Sequence, residues 1–192
     1  MTGGTQQTRR RIIEAANDLF YSEGFRSVSV DEIARRAGVT KKTLYYHFRS
    51  KDDLFAAYVE ARNLPTLQRY QHLAGTSGTV SERLSRLFSA LAVAAEKQDW
   101  RGCGFLRVAG ELANLPGHPA VVAARAHKKG FEAWLAMLLA EEGHVDAEPT
   151  ARQLMVLLDG AVSGLLLHRD AEYAFSARDA ALSILSSRDL NK

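Results

Sequence analysis

The sequence predicts an all-α protein in two parts: an N-terminal three-helix head containing a helix-turn-helix, then a larger C-terminal helical body. Three observations carry this. Ser29 to Phe48 reads as two short helices joined by a tight turn. From Ile12 onward apolar residues recur at helical spacing, and no convincing period-two run appears. Residues 1–50 hold nine Lys/Arg against five Asp/Glu, a net +4, whereas the rest holds sixteen against seventeen, a net −1.

Met1 to Gln7 is polar and Gly-containing and reads as a disordered tail. Arg9, Arg10 and Arg11 open the first helix, which buries Ile12, Ile13, Ala16, Leu19 and Phe20. Those arginines either reach phosphate or a minor groove, or are simply solvated. Ser29 with Glu32 forms the pattern of a capping box at the second helix. Ile33, Ala34 and Ala37 share one face, and Gly38 stops the helix where a left-handed residue is needed. Thr40 caps the third helix. Leu44 and Phe48 face inward. Lys41, Lys42, Thr43, Tyr45 and His47 face outward, with Tyr46 at the edge.

Ser50 with Asp53 caps a fourth helix that runs past Leu54, Phe55, Tyr58 and Val59 toward Pro65. The body follows. After the Gly75–Gly78 turn comes a helix over about 80–98, then a shorter one over about 104–114 ending before Pro116. Pro119 starts a long helix to about 142, ended by Gly143. A helix over about 148–169 is apolar nearly all round, so it should be buried on more than one side. A small-residue helix with Ala177, Ala180, Ala181, Ile184 and Leu185 closes the chain.

Composition narrows the function classes. The 192 residues are 46% hydrophobic, enough for a real core, with a single cysteine, Cys103, and therefore no disulfide framework or thiolate metal cluster. This suits a reducing cytoplasm. No signal peptide and no apolar stretch of membrane-spanning length is expected. Catalysis finds no support: there is no Gly-x-Ser-x-Gly elbow and no His-Glu-x-x-His, and the six histidines are scattered. The Gly75 turn lacks the Gly-Lys-Ser/Thr of a phosphate loop. No catalytic residue, metal ligand or cofactor is assigned.

The outward face of the third helix suits DNA. Lysines and hydroxyls meet phosphates, and Thr43 can touch a base edge. The alternative is a plain helical hairpin with a solvated basic face. Exposed aromatics favour DNA, because they serve no purpose on a merely solvated helix. The candidate DNA-contacting residues are Ser29, Val30, Lys41, Lys42, Thr43, Tyr45, Tyr46, His47 and Lys51.

Thr-Lys-Lys-Thr-Leu-Tyr-Tyr-His-Phe at 40–48, followed by Arg49 to Leu54, resembles the signature of the TetR family of bacterial transcriptional regulators. Ile12 to Ala16, Leu19-Phe20 and Glu23-Gly24-Phe25 resemble that family's first helix and exit turn. The resemblance implies a DNA-binding head over 8–50 and an effector-binding and dimerisation body over 51–192. It implies a repressor that leaves a palindromic operator in double-stranded DNA when a small molecule binds among the middle helices.

Candidate pocket residues are Phe88, Phe105, Glu111, His127, Phe131, Trp134, Met137, Met155 and Leu158, for which core packing or surface pairing is the competing reading. The apolar excess of the last two helices points to a homodimer through Leu157, Gly160, Ala161, Gly164, Leu165, His168, Ala177, Ala181 and Ile184. In the resembled family those helices form a four-helix interface. Two alternatives remain: a DNA-binding factor without an effector, and a redox sensor acting through Cys103.

Overall fold

A computed structural model describes residues 2–189, all in or between α-helices; no strand occurs among them. Met1 and residues 190–192 lie outside the described residues.

The head comprises α1 (Thr2–Glu23), α2 (Val30–Arg36) and α3 (Lys41–His47). α1 begins at Thr2, so residues 2–7 are helical rather than a tail. Gly3 and Gly4 are poor helix formers, but the folded turns beyond them supply the nucleus, and the Thr8 hydroxyl donates back to the Gly4 carbonyl. Ile12, Ala16, Phe20, Ile33, Ala34, Leu44 and Phe48 are buried and hold the three helices together. Leu44→Ala there would cost about 2–5 kcal/mol.

The remaining helices are α4 (Lys51–Ala74), α5 (Val80–Ala95), α6 (Gly104–Glu111), α7 (Pro119–Glu141), α8 (Ala147–His168) and α9 (Glu172–Asp189). α4 does not stop at Pro65 but continues through it. α5 and α6 each end three residues earlier than the sequence spacing suggests.

The chain packs as two compact units. The first is Met1–Pro65 with Gly104–Ala126, so the start of α4, all of α6 and the start of α7 share a unit with the head. An aromatic cluster organises it: Phe25 stacks on Phe55 at 4.1 Å between ring centres, and Phe20 meets Phe55 edge-on at 5.0 Å. The second unit is Thr66–Cys103 with His127–Lys192. Its core is α5 against α8 and α9, with Leu87, Phe88, Leu154, Leu158, Leu165 and Leu185 buried. Thr79 and Glu82 form a reciprocal capping box at the start of α5.

α8 is long and apolar enough to cross a membrane by length and composition, which corrects the expectation that no stretch reaches that size. Its buried side packs on α5 and α9.

Candidate nucleic-acid interface

The turn between α2 and α3 is built as the sequence suggests. Gly38 adopts φ +64°, its amide donates to the Arg35 carbonyl, and the Val39 amide donates to the Ala34 carbonyl. This left-handed closure satisfies carbonyls that the end of α2 leaves open. Ser29 accepts from the Glu32 amide at 3.1 Å, but the Glu32 carboxylate turns to Arg35 at 3.8 Å, so only half of the expected box forms. Thr40 accepts from the Thr43 amide at 3.1 Å.

α3 buries Leu44 and leaves Lys41, Lys42, Tyr45 and Tyr46 exposed. Tyr46 is 77% exposed, further out than the edge position expected, and Tyr45 is 45% exposed. His47 is half-buried, with its ring edge-on to Tyr46 at 5.2 Å. The Thr43 hydroxyl lies 2.8 Å from that of Thr40, so one donates to the other. Ser29 is exposed and Val30 half-exposed at the start of α2.

Two lysines are already engaged. Lys41 pairs with Asp31 at 2.9 Å, and this hydrogen-bonded carboxylate raises its pKa. Lys51 is turned inward, which corrects its place among the outward contacts. Its ammonium donates to the Phe25 carbonyl at 2.5 Å and sits 4.3 Å from the centre of the Phe25 ring. Burial lowers its pKa against the raising influence of Asp52 and Glu111.

The sequence pattern does not show the buttress behind the α2–α3 turn. Arg11 donates to the Ala37 carbonyl at 2.6 Å and to the Gly38 carbonyl at 3.2 Å. Arg9 lies 4.9 Å from the centre of the Phe48 ring. A run of three arginines signals charge, but only the register of α1 says that Arg11 reaches the turn.

The candidate pocket residues divide between the two units. Phe105 and Glu111 belong to the first unit, where the Glu111 carboxylate accepts from the Phe25 amide at 2.8 Å. Glu111 is therefore spent on the α1–α2 corner rather than offered to a ligand. Met137 is 51% exposed, because α7 turns Phe131, Trp134, Leu135 and Leu138 inward and leaves position 137 outside that stripe. Phe88, His127, Phe131, Trp134, Met155 and Leu158 are buried in the second unit. Tyr70 and Trp134 both meet Phe131 edge-on, at 5.3 and 5.2 Å.

Beside them a polar cluster forms. Lys128 donates to Asp159 at 2.5 Å. Burial works against the Lys128 charge, but nearby Cys103 and Asp159 more than offset it and raise its pKa. Burial, and then Cys103, raise the Tyr70 phenol.

Along α8 and α9 the expected dimer residues divide. Ala161, Leu165 and Ala181 are buried inside one chain, so they are not free to meet a second. A Cβ on Gly164 would lie 2.6 Å from the Tyr173 ring, so its close approach is to α9 of the same chain. His168 stacks on Tyr173 at 4.3 Å. Gly160 is open, and Leu157, Ala177 and Ile184 are half-exposed. The outward stripe of α8 is Val156, Gly160, Ser163 and Leu167, with Val156 68% and Leu167 77% exposed.

Residues 12–58 match the family model for bacterial regulatory proteins of the tetR family. The chain is 47% identical over 51 residues to the HTH-type transcriptional regulator AcrR of Shigella flexneri, covering 27% of this chain and 24% of that one. It is 40% identical over 60 residues to the HTH-type transcriptional regulator SrpR of Pseudomonas putida, covering 31% and 28%. These sequence matches thus span about a quarter of each relative's length.

A solved structure extends the likeness to the whole chain. SCO4454, a TetR-family transcriptional regulator from Streptomyces coelicolor, aligns with TM-score 0.81 and 30% identity over 95% of this chain and 96% of its own. A TetR-family regulator from Cytophaga hutchinsonii has the same fold, with TM-score 0.82 at 16% identity. The helix-turn-helix, the all-helical body and the whole-length match place the chain in the TetR family of bacterial transcriptional regulators.

Proposed function

We propose that the chain is a homodimeric repressor that binds an inverted-repeat operator and is released by a small molecule held in its helical body. The head, residues 8–50, reads DNA, and residues 51–192 bind the effector and dimerise. The observation that carries this is the exposed face of α3, with Lys42, Tyr45 and Tyr46 outward on a helix fixed by Thr40, Gly38 and Arg11. A solvated helix gains nothing from Tyr46 at 77% exposure, whereas a phosphate accepts from its hydroxyl.

One such helix reads only a few base pairs. Two related by a two-fold axis read both halves of a palindrome, about one DNA turn or a multiple apart. The exposed stripe Val156, Gly160, Ser163 and Leu167 supports a second copy as the partner, through a helix face with small residues at its centre. A bacterial DNA-binding regulator works at the chromosome, which supports a cytoplasmic location. The apolar side chains Phe88, Phe131 and Trp134, buried in the second unit, favour an uncharged effector. Release requires a coupling of about 1–3 kcal/mol or more between effector and DNA. Selection of bound duplexes from a random pool, followed by screening for small molecules that release the winner, tests the reading. Binding with salt dependence but no sequence preference would favour the effectorless alternative.

A redox reading has one observation in its favour. Lys128, whose ammonium is paired with Asp159, lies within electrostatic reach of Cys103. Loss of DNA binding with peroxide in the wild type but not in Cys103→Ser supports it, and an equal response in both sinks it.

A further inference from the structure

Phe25 occupies the corner between α1 and α2, and both of its backbone polar groups are held by charged side chains from other helices. Its amide donates to Glu111 of α6 at 2.8 Å, and its carbonyl accepts from Lys51 of α4 at 2.5 Å. The ring is stacked on Phe55 of α4. Gly24, at φ +85°, makes room for the carboxylate: a Cβ there would lie 3.2 Å from Glu111 Oε1. Two further bonds fasten the same helix to the same corner. Arg26 donates to the Glu111 carbonyl at 3.0 Å, and Arg107 donates to the Tyr21 carbonyl at 2.7 Å.

Backbone groups at the end of a helix need partners, and water would serve an exposed corner as well. Here four contacts from α6 and α4 converge on six consecutive residues of the α1–α2 corner. That corner sets where α2 starts, and α2 and the Gly38 turn set α3. We infer that Glu111 and Arg107 are positioning residues of the reading head, acting on the α1–α2 corner through the Phe25 amide and the Tyr21 carbonyl. The inference rests on the DNA-binding reading and names where its register is controlled. Glu111 touches no DNA in this account; it acts through Phe25.

The full-length protein supplies the test, with wild type, Glu111→Ala and Glu111→Gln compared. Amide hydrogen exchange is followed at residues 21–28 and 104–111. Affinity is titrated for the palindrome that wild type selects and for a random duplex of equal length. Glu111→Ala should speed exchange at Phe25 by roughly tenfold or more, the loss expected for a charge-assisted hydrogen bond. It should weaken the palindrome by about tenfold while leaving the random duplex within about twofold. Glu111→Gln, which still offers an acceptor, should restore most of both.

Unchanged exchange at Phe25 in Glu111→Ala overturns the latch. Faster exchange with undiminished palindrome affinity overturns its positioning role. Equal losses on both duplexes, with no recovery in Glu111→Gln, mark a general folding defect and also overturn it. If wild type selects no palindrome, the DNA-binding reading fails, and exchange at Phe25 still decides the latch.

Discussion

The Arg11 guanidinium donates to the Ala37 carbonyl at 2.6 Å, tying α1 to the turn between α2 and α3. The carbonyl lies at the C-terminal end of α2, where the helix dipole favours a cation. Arg11→Ala removes both and leaves a part-buried carbonyl without its partner, at a cost of about 1–3 kcal/mol. Urea unfolding should record that loss, and DNA affinity should fall with it. Gly38→Ala strains the same turn by about 1 kcal/mol through its positive φ. A variant Arg11→Ala with wild-type stability and affinity would show that the buttress is ornamental.

Lys42 and Tyr46 should separate by how they use DNA. Lys42→Ala should reduce the salt slope of binding by about one, as expected for a lost phosphate contact. Tyr46→Phe should weaken all sequences alike. Asp31 holds Lys41 at 2.9 Å and places a carboxylate beside the reading face. Asp31→Asn should therefore tighten DNA binding and steepen its salt dependence, measured by titration at several salt concentrations. A weaker complex would mean that Asp31 is needed to aim Lys41.

The exposed stripe on α8 predicts the assembly. Val156→Arg or Leu167→Arg should convert a dimer to a monomer in sedimentation, with the helical spectrum kept and palindrome affinity lost. Gly164→Ala should act differently. Its methyl would press on Tyr173 within one chain, costing about 1–3 kcal/mol of stability by overpacking without splitting the dimer first. A Leu167→Arg protein that sediments as a dimer points to another face.

Lys128 and Tyr70 predict alkaline lability. The Lys128 pKa lies above the ordinary 10.5, burial being outweighed by Cys103 and Asp159, and Tyr70 lies above 10.0 through burial and Cys103. Both groups hold protons more tightly folded than unfolded. Their contribution is complete below about pH 10 and is lost as pH rises through the folded values. The urea midpoint should stay level from neutral pH to about pH 9 with respect to these groups, then fall, and fall less in Tyr70→Phe. A wild-type midpoint that rises above about pH 10 contradicts the assignment.

The head was legible because its determinants are local. Ser29, Gly38 and Thr40 act within three or four residues of themselves, and the period of Leu44 and Phe48 fixes the buried side of α3. What failed was long-range. Nothing near Lys51 announces that its ammonium finds the Phe25 carbonyl 26 positions earlier. Glu111 looked like a polar group in an apolar helix, and its partner at Phe25 is 86 positions away. Ala161 and Leu165 showed as apolar excess, but whether a neighbour in the same chain or in a second chain covers them depends on the packing of α5, α8 and α9.

The central claim is that the α3 face reads a palindrome as one half of a pair. Its most direct measurement is the selection of duplexes from a random pool by the wild-type protein, with Thr43→Ala selected in parallel. The account predicts one inverted repeat for wild type, with half-sites about 10 base pairs apart centre to centre or a multiple of that, and relaxed preference within each half-site for Thr43→Ala. Enrichment of no common sequence by wild type, or of one without two-fold symmetry, would contradict it.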